Sequence, residues 1–123
     1  MLGEDLSFDI VMASKMAAPF GAGISRWGEV CGAVVGGAMA LGFVFAPEKG
    51  EEKEKKEKLY TRVQAMLKEF EKNFGKLRCR ELVHLNLLDP AERKKFQELG
   101  LRRQCSGYVS GNVEIVRQIL KEK

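Results

Sequence analysis

The chain has 123 residues, 45% of them hydrophobic and 31% charged, and its 21 basic residues against 17 acidic ones give a net charge of +4. That length sets a single domain, residues 1–123, able to bury a core without disulfide staples. The small basic excess, with no stripe of basic and aromatic residues, argues against nucleic acid as a partner.

Leu6, Ile10, Ala13 and Ala17 recur at helical spacing, which predicts a first helix over 7–18, capped by Ser7 or Asp5 and closed by Pro19. "PFGAGISRWGE" then reads as a glycine-rich loop, since Gly21, Gly23 and Gly28 permit backbone angles that other residues avoid. From Cys31 to about Phe45 the sequence is apolar on every side, as in a helix surrounded by others. Gly28, Gly32 and Gly36 repeat at GxxxG spacing in it, but the uncharged run is short for a bilayer, so a buried helix rather than a membrane span is expected.

Pro47 ends that helix, and the charge-dense stretch at about 47–58 is a linker or the solvated first turns of the next helix. Leu59, Val63, Met66, Leu67, Phe70 and Phe74 form the clearest amphipathic stripe, stopped by Gly75. "CRELVHLNLL" predicts a short helix opening at or near Cys79. In "DPAE", Asp89 is the expected cap, Pro90 the first helical residue and Glu92 the partner in a capping box. That helix ends at Gly100, with Leu99 and Leu101 expected to pack over the turn. A last helix, starting near Ser110, uses Val109, Val113, Val116 and Leu120. No segment alternates with period two, so the expected fold is all-α, a small multi-helix bundle around the buried glycine-rich helix.

Three cysteines, Cys31, Cys79 and Cys105, carry the chemistry. No secretory signal precedes them, because the first twenty residues hold Glu4, Asp5 and Asp9 without a basic start, and a reducing cytoplasm is expected. Cys31 falls in the first turn of its helix, where free N–H groups and the helix dipole favour a thiolate. Gly32 leaves room beside it for a sulfur or a small ligand, and the alternative use of Gly32 and Gly36 is close helix packing. Lys76, Arg78 and Arg80 flank Cys79, and Arg102 and Arg103 precede Cys105 in an expected loop; cations so placed lower a thiol pKa. His84 stands five residues from Cys79, off the face that a ligand pair needs, and is read as a satisfied or exposed histidine. Trp27 is expected in the core, with closure of Arg26 and Trp27 over Cys31 as the other option.

The string "GEVCGAVVGGAMALG" at 28 to 42 resembles the CGAxxG signature of the C_GCAxxG_C_C family, which is called redox-active from its cysteines. The order of the other parts fits over nearly the whole chain: an apolar helix entered through "FGAGISRWGEVCG", a charged helix ending "FEKNFGKLRCREL", and a later lone cysteine. Cys31 matches the signature cysteine, Cys79 the one opening "CREL", and Cys105 the last. The family's pattern has four cysteines, so the resemblance implies a further one upstream of Met1. It implies either thiol–disulfide exchange or electron transfer through a metal or iron–sulfur centre, with Cys31, Cys79 and Cys105 as the active or ligating residues and Gly32 and Gly36 beside a cofactor. Zinc or an iron–sulfur cluster is the cofactor so implied; the family also resembles the core of split-Soret cytochromes, but no CxxCH string predicts haem. A redox partner protein is the partner this allows; the small-residue face and the odd number of cysteines suggest a homodimer, and no membrane partner is expected. Phosphate-loop, nucleophilic-serine and histidine–carboxylate motifs are missing, so an oxidoreductase or electron-transfer protein stands against a non-catalytic helical scaffold or dimerisation module.

Overall fold

The computed structural model describes residues 9–47 and 52–121. Among the described residues, besides a 3-10 turn at Ala18–Phe20 and the short segment Gly21–Ile24, six helices follow in order: α1 (Ile10–Ala17), α2 (Gly32–Phe45), α3 (Lys53–Phe74), α4 (Cys79–Val83), α5 (Pro90–Glu98) and α6 (Arg102–Lys121). Among the described residues there is no strand; an isolated antiparallel bridge pairs Val30 with Arg78. The fold is the all-α bundle that the periodicity predicts.

The core is made by α2, α3 and α6. Phe70, Leu41, Met66, Val34 and Val116 are its fully buried apolar side chains. Phe70, Phe74 and Tyr108 form an aromatic trio with centroid separations of 4.8, 5.1 and 6.1 Å. Offset and edge-on rings at such distances add about 0.5–1.5 kcal/mol per pair beyond burial. One polar side chain crosses this core: Asn112 of α6, 1% exposed, donates from Nδ2 to the Ala33 carbonyl in the first turn of α2, 2.8 Å away. Close approach of the three helices depends on Gly37, where an added Cβ would lie 2.4 Å from Asn112 Nδ2 and 2.7 Å from Met66 Sδ. The tight packing expected at Gly36 belongs instead to this next residue, because Gly36 is on the outward face with nothing within 4 Å. Gly32 lies against the Phe20 carbonyl, 3.1 Å from where its Cβ would be.

Several boundaries depart from expectation. Asp9, accepting from the Met12 N–H at 3.1 Å, caps α1; the predicted caps Asp5 and Ser7 lie outside the described residues. The charged run is helical from Lys53 onward, its residues 48–51 lying outside the description. Asp89 caps α5 through the Ala91 N–H at 2.9 Å, but its own N–H bonds to the Asn86 carbonyl, which displaces Glu92 from a reciprocal box. The α5 terminus is a Schellman turn, with Gly100 N–H on the Gln97 carbonyl and Leu101 N–H on that of Phe96, at 3.1 and 3.2 Å. Leu99 does not pack over that turn; it is 68% exposed. Helix α6 starts at Arg102, two turns before the predicted Ser110; of the predicted stripe Val113 and Val116 are buried, joined by Tyr108, Asn112, Ile115 and Ile119, while Val109 is exposed. Gly111 lies within this helix, where a Cβ would stand 2.5 Å from the Phe74 ring. Tertiary packing, not a turn, selects that glycine.

The loop between α1 and α2 takes an uncommon path. Ala22, Gly23, Ile24, Ser25 and Arg26 all have positive φ, from 49° to 73°, so the chain makes a turn of left-handed helix. Such a conformation costs an L-residue roughly 1–2 kcal/mol, and a β-branched side chain such as Ile24 suits it least. The turn is held by Ser25 Oγ donating to the Pro19 carbonyl, by Trp27 N–H to Ile24 and by Glu29 N–H to Gly23, all at 2.9 Å.

Candidate thiol site

After Gly28, itself at φ 78°, residues 29–31 meet residues 77–79 side by side. Cys31 N–H donates to the Leu77 carbonyl at 2.8 Å and Cys79 N–H to that of Glu29 at 2.7 Å. These bonds flank the Val30–Arg78 pair and put Cys31 and Cys79 on the opposite face from it, as diagonal neighbours, a spacing of about 7–8 Å in a regular ladder. Immediately beyond the bridge Cys31 becomes the N-cap of α2 and Cys79 the first residue of α4, so both helices start from one place. Glu29 locks the bridge: it pairs with Arg80, and its other oxygen lies 3.7 Å from Arg78 Nε. Arg80 Nε also donates to the Gly28 carbonyl at 3.3 Å.

The third thiol is brought in by α6. Gln104 donates from Nε2 to the Leu82 carbonyl at 3.1 Å and also to the Tyr108 hydroxyl, tying the first turns of α6 to the end of α4. Cys105, next to Gln104, thereby packs half-buried against the small cluster of Cys79, Val83 and Leu87. Cys31 packs on the other side, against the main core. The three thiols are free. Ionised Cys31 raises the pKa of both Cys79 and Cys105, so the sulfurs sense one another's charge.

Burial outweighs the groups expected to favour thiolates. Cys31 is raised by desolvation, against which the N–H groups of Ala33 and Val34 act as the helix-terminus reasoning predicts. Cys79 is pushed from 9.0 to about 11, first by desolvation and then by the charges of Cys31 and Cys105. The cations around it are engaged elsewhere: Arg78 and Arg80 with Glu29, Lys76 with Glu81 at 3.9 Å. Cys105 is also raised, by burial and then Cys31, with Arg102 opposing. It lies in the first turns of α6 rather than in the predicted loop.

Cys79 and Cys105 open into a cavity of about 590 Å³, whose wall includes Arg26, Arg93, Phe96 and Arg102. Arg26 is aimed there by the left-handed turn. Trp27 is not in the core but 64% exposed, in a second cleft with His84. His84 is exposed, as expected, and ends α4 in the left-handed conformation at φ 58°. Arg93, Phe96 and Gly23 carry no local mark of a site; they are recruited from α5 and the turn by tertiary contact. Among the described residues no group of three His, Cys, Asp or Glu side chains is arranged to hold a metal ion. None of the described helices is long and apolar enough to cross a membrane.

Fold and site together define an all-α protein with three interacting thiols gathered from distant parts of the chain. The family described as "Putative redox-active protein (C_GCAxxG_C_C)" matches residues 1–119, and the chain belongs to this family. No curated protein and no solved structure matches it.

Proposed function

We propose that the chain is a redox protein working by thiol–disulfide exchange, with Cys105 as the attacking thiol, Cys79 as the resolving thiol and Cys31 as their neighbour. The observation that carries this is the shared cavity: Cys79 and Cys105 line it together and belong to one buried cluster. Cys105 is the more accessible of the two and has Arg102 to favour its thiolate. Cys79, 7% exposed and raised to about 11, suits a sulfur that reacts only with a disulfide formed beside it. A redox partner protein and a reducing cytoplasm, where free thiols persist, go with this chemistry.

The test is a thiol titration of protein purified without oxygen, before and after a small disulfide oxidant, followed by peptide mapping. Loss of two thiols with Cys79 linked to Cys105 is expected, and Cys79→Ser should accumulate a mixed disulfide on Cys105. Three thiols that stay free would overturn the assignment in favour of a helical scaffold. Stoichiometric iron, sulfide or zinc would overturn it in favour of a thiolate-held centre.

A further inference from the structure

The wall of the thiol cavity is charged on one side of the scale only. Arg26, Arg93 and Arg102 line it, and among the described residues no aspartate or glutamate does. The three come from separate places, the left-handed turn, the first half of α5 and the start of α6, so no local sequence bias gathers them. None of them pairs with a carboxylate among the described residues, although acidic partners are found for Arg78, Arg80, Lys76 and Lys94. Arg93 is partly held, its Nη2 donating to the Leu88 carbonyl at 3.4 Å, while its buried Nε has no partner. A guanidinium without a carboxylate partner in a half-enclosed space is a binding element for carboxylates, which it meets with two parallel hydrogen bonds. Phe96 and Leu87 supply the apolar surface that the body of a small organic molecule needs.

We infer that the cavity takes a low-molecular-weight disulfide bearing carboxylates, held by Arg26, Arg93 and Arg102 with its sulfur–sulfur bond over Cys105. This rests on the exchange chemistry proposed above and names its substrate class. The Cys105 thiolate attacks one sulfur of the substrate, forming a Cys105–substrate disulfide and breaking the substrate's own bond. The first thiolate leaves and takes up the proton that Cys105 lost. Cys79 then attacks the Cys105 sulfur, forming the Cys79–Cys105 bond and expelling the second thiolate, which takes the proton from Cys79. Two protein thiols are oxidised by two electrons and one disulfide is reduced to two thiols.

Three disulfides of similar size separate charge from reactivity: dithiodipropionate, a dianion; hydroxyethyl disulfide, neutral; and cystamine, a dication. At low salt the reduced protein should lose thiols to the dianion at least about ten-fold faster than to the neutral compound, and slowest to cystamine. High salt and Arg102→Gln should each shrink that preference, with circular dichroism confirming the fold of the variant. Equal rates for the three probes would overturn the substrate class and leave exchange standing. A binding measurement covers the case of inert thiols: dithiodipropionate titrated into Cys105→Ser should shift the arginine Nε resonances of Arg26, Arg93 and Arg102 to saturation, whereas cystamine should not. No shift would overturn the anion site, and saturable shifts with inert wild-type thiols would keep the site and overturn exchange.

Discussion

Gly23 lies so close to Cys79 that a Cβ built on it would stand 2.6 Å from the Cys79 Cβ, with the Glu29 N and O at 2.7 and 2.8 Å. Its φ of +66° adds a backbone penalty for any L side chain. Gly23→Ala should therefore destabilise the fold by about 2–4 kcal/mol, combining strain and overpacking. Urea denaturation measures the loss. The rate at which a small alkylating reagent reaches Cys79 should rise in the same variant, because the turn can relax only by moving off that sulfur.

Adjacent glycines of α2 predict opposite outcomes. At Gly37 a methyl group meets Asn112 and Met66, and Gly37→Ala should cost about 1–3 kcal/mol. At Gly36 it meets nothing within 4 Å, and Gly36→Ala should stabilise by about 0.5–1 kcal/mol through helix propensity. Thermal midpoints of the two variants moving in opposite directions would bear this out; a shared direction would refute it.

Glu29 neutralises the arginines on either side of Cys79. Glu29→Gln removes a partly exposed ion pair worth about 1 kcal/mol or less, so stability should change little. The freed charge of Arg78 and Arg80 should favour the Cys79 thiolate, lowering its pKa and speeding its alkylation at pH 8. A pH titration of Cys79 reactivity in the two proteins reads the shift directly.

Cys79 also ties stability to pH. Its pKa is raised from 9.0 to about 11 on folding, so between those values the unfolded chain has released a proton that the folded chain retains. The stabilisation is fully present below pH 9 and disappears as pH rises through about 11. Urea unfolding at pH 8 and pH 10.5 should show a smaller fall in Cys79→Ala than in the parent chain.

The three-helix core was legible because it is written in local periods. The stripe from Leu59 to Phe74 and the all-apolar run after Cys31 need only helical geometry to be recognised. The order of cysteines around "CGAVVG" likewise pointed to the three residues that come together. Long-range contact decided the rest. The expectation of thiolates weighed neighbours along the chain, whereas burial by α2, α4 and α6 raises every sulfur, and Glu29 engages Arg78 and Arg80 across the bridge. Trp27 looked like a core residue by type, but the handedness of the preceding turn directs it outward.

That turn has a stereochemical corollary. Its four non-glycine residues hold backbone angles natural to the mirror-image amino acids. A chain made by chemical synthesis with D-alanine at position 22 should therefore melt higher than its all-L counterpart, while D-alanine placed at Ala38, within right-handed α2, should melt lower. Ribosomal synthesis cannot make that exchange, so the natural polymer keeps a small region of wrong-handed geometry pressed against its most deeply set sulfur.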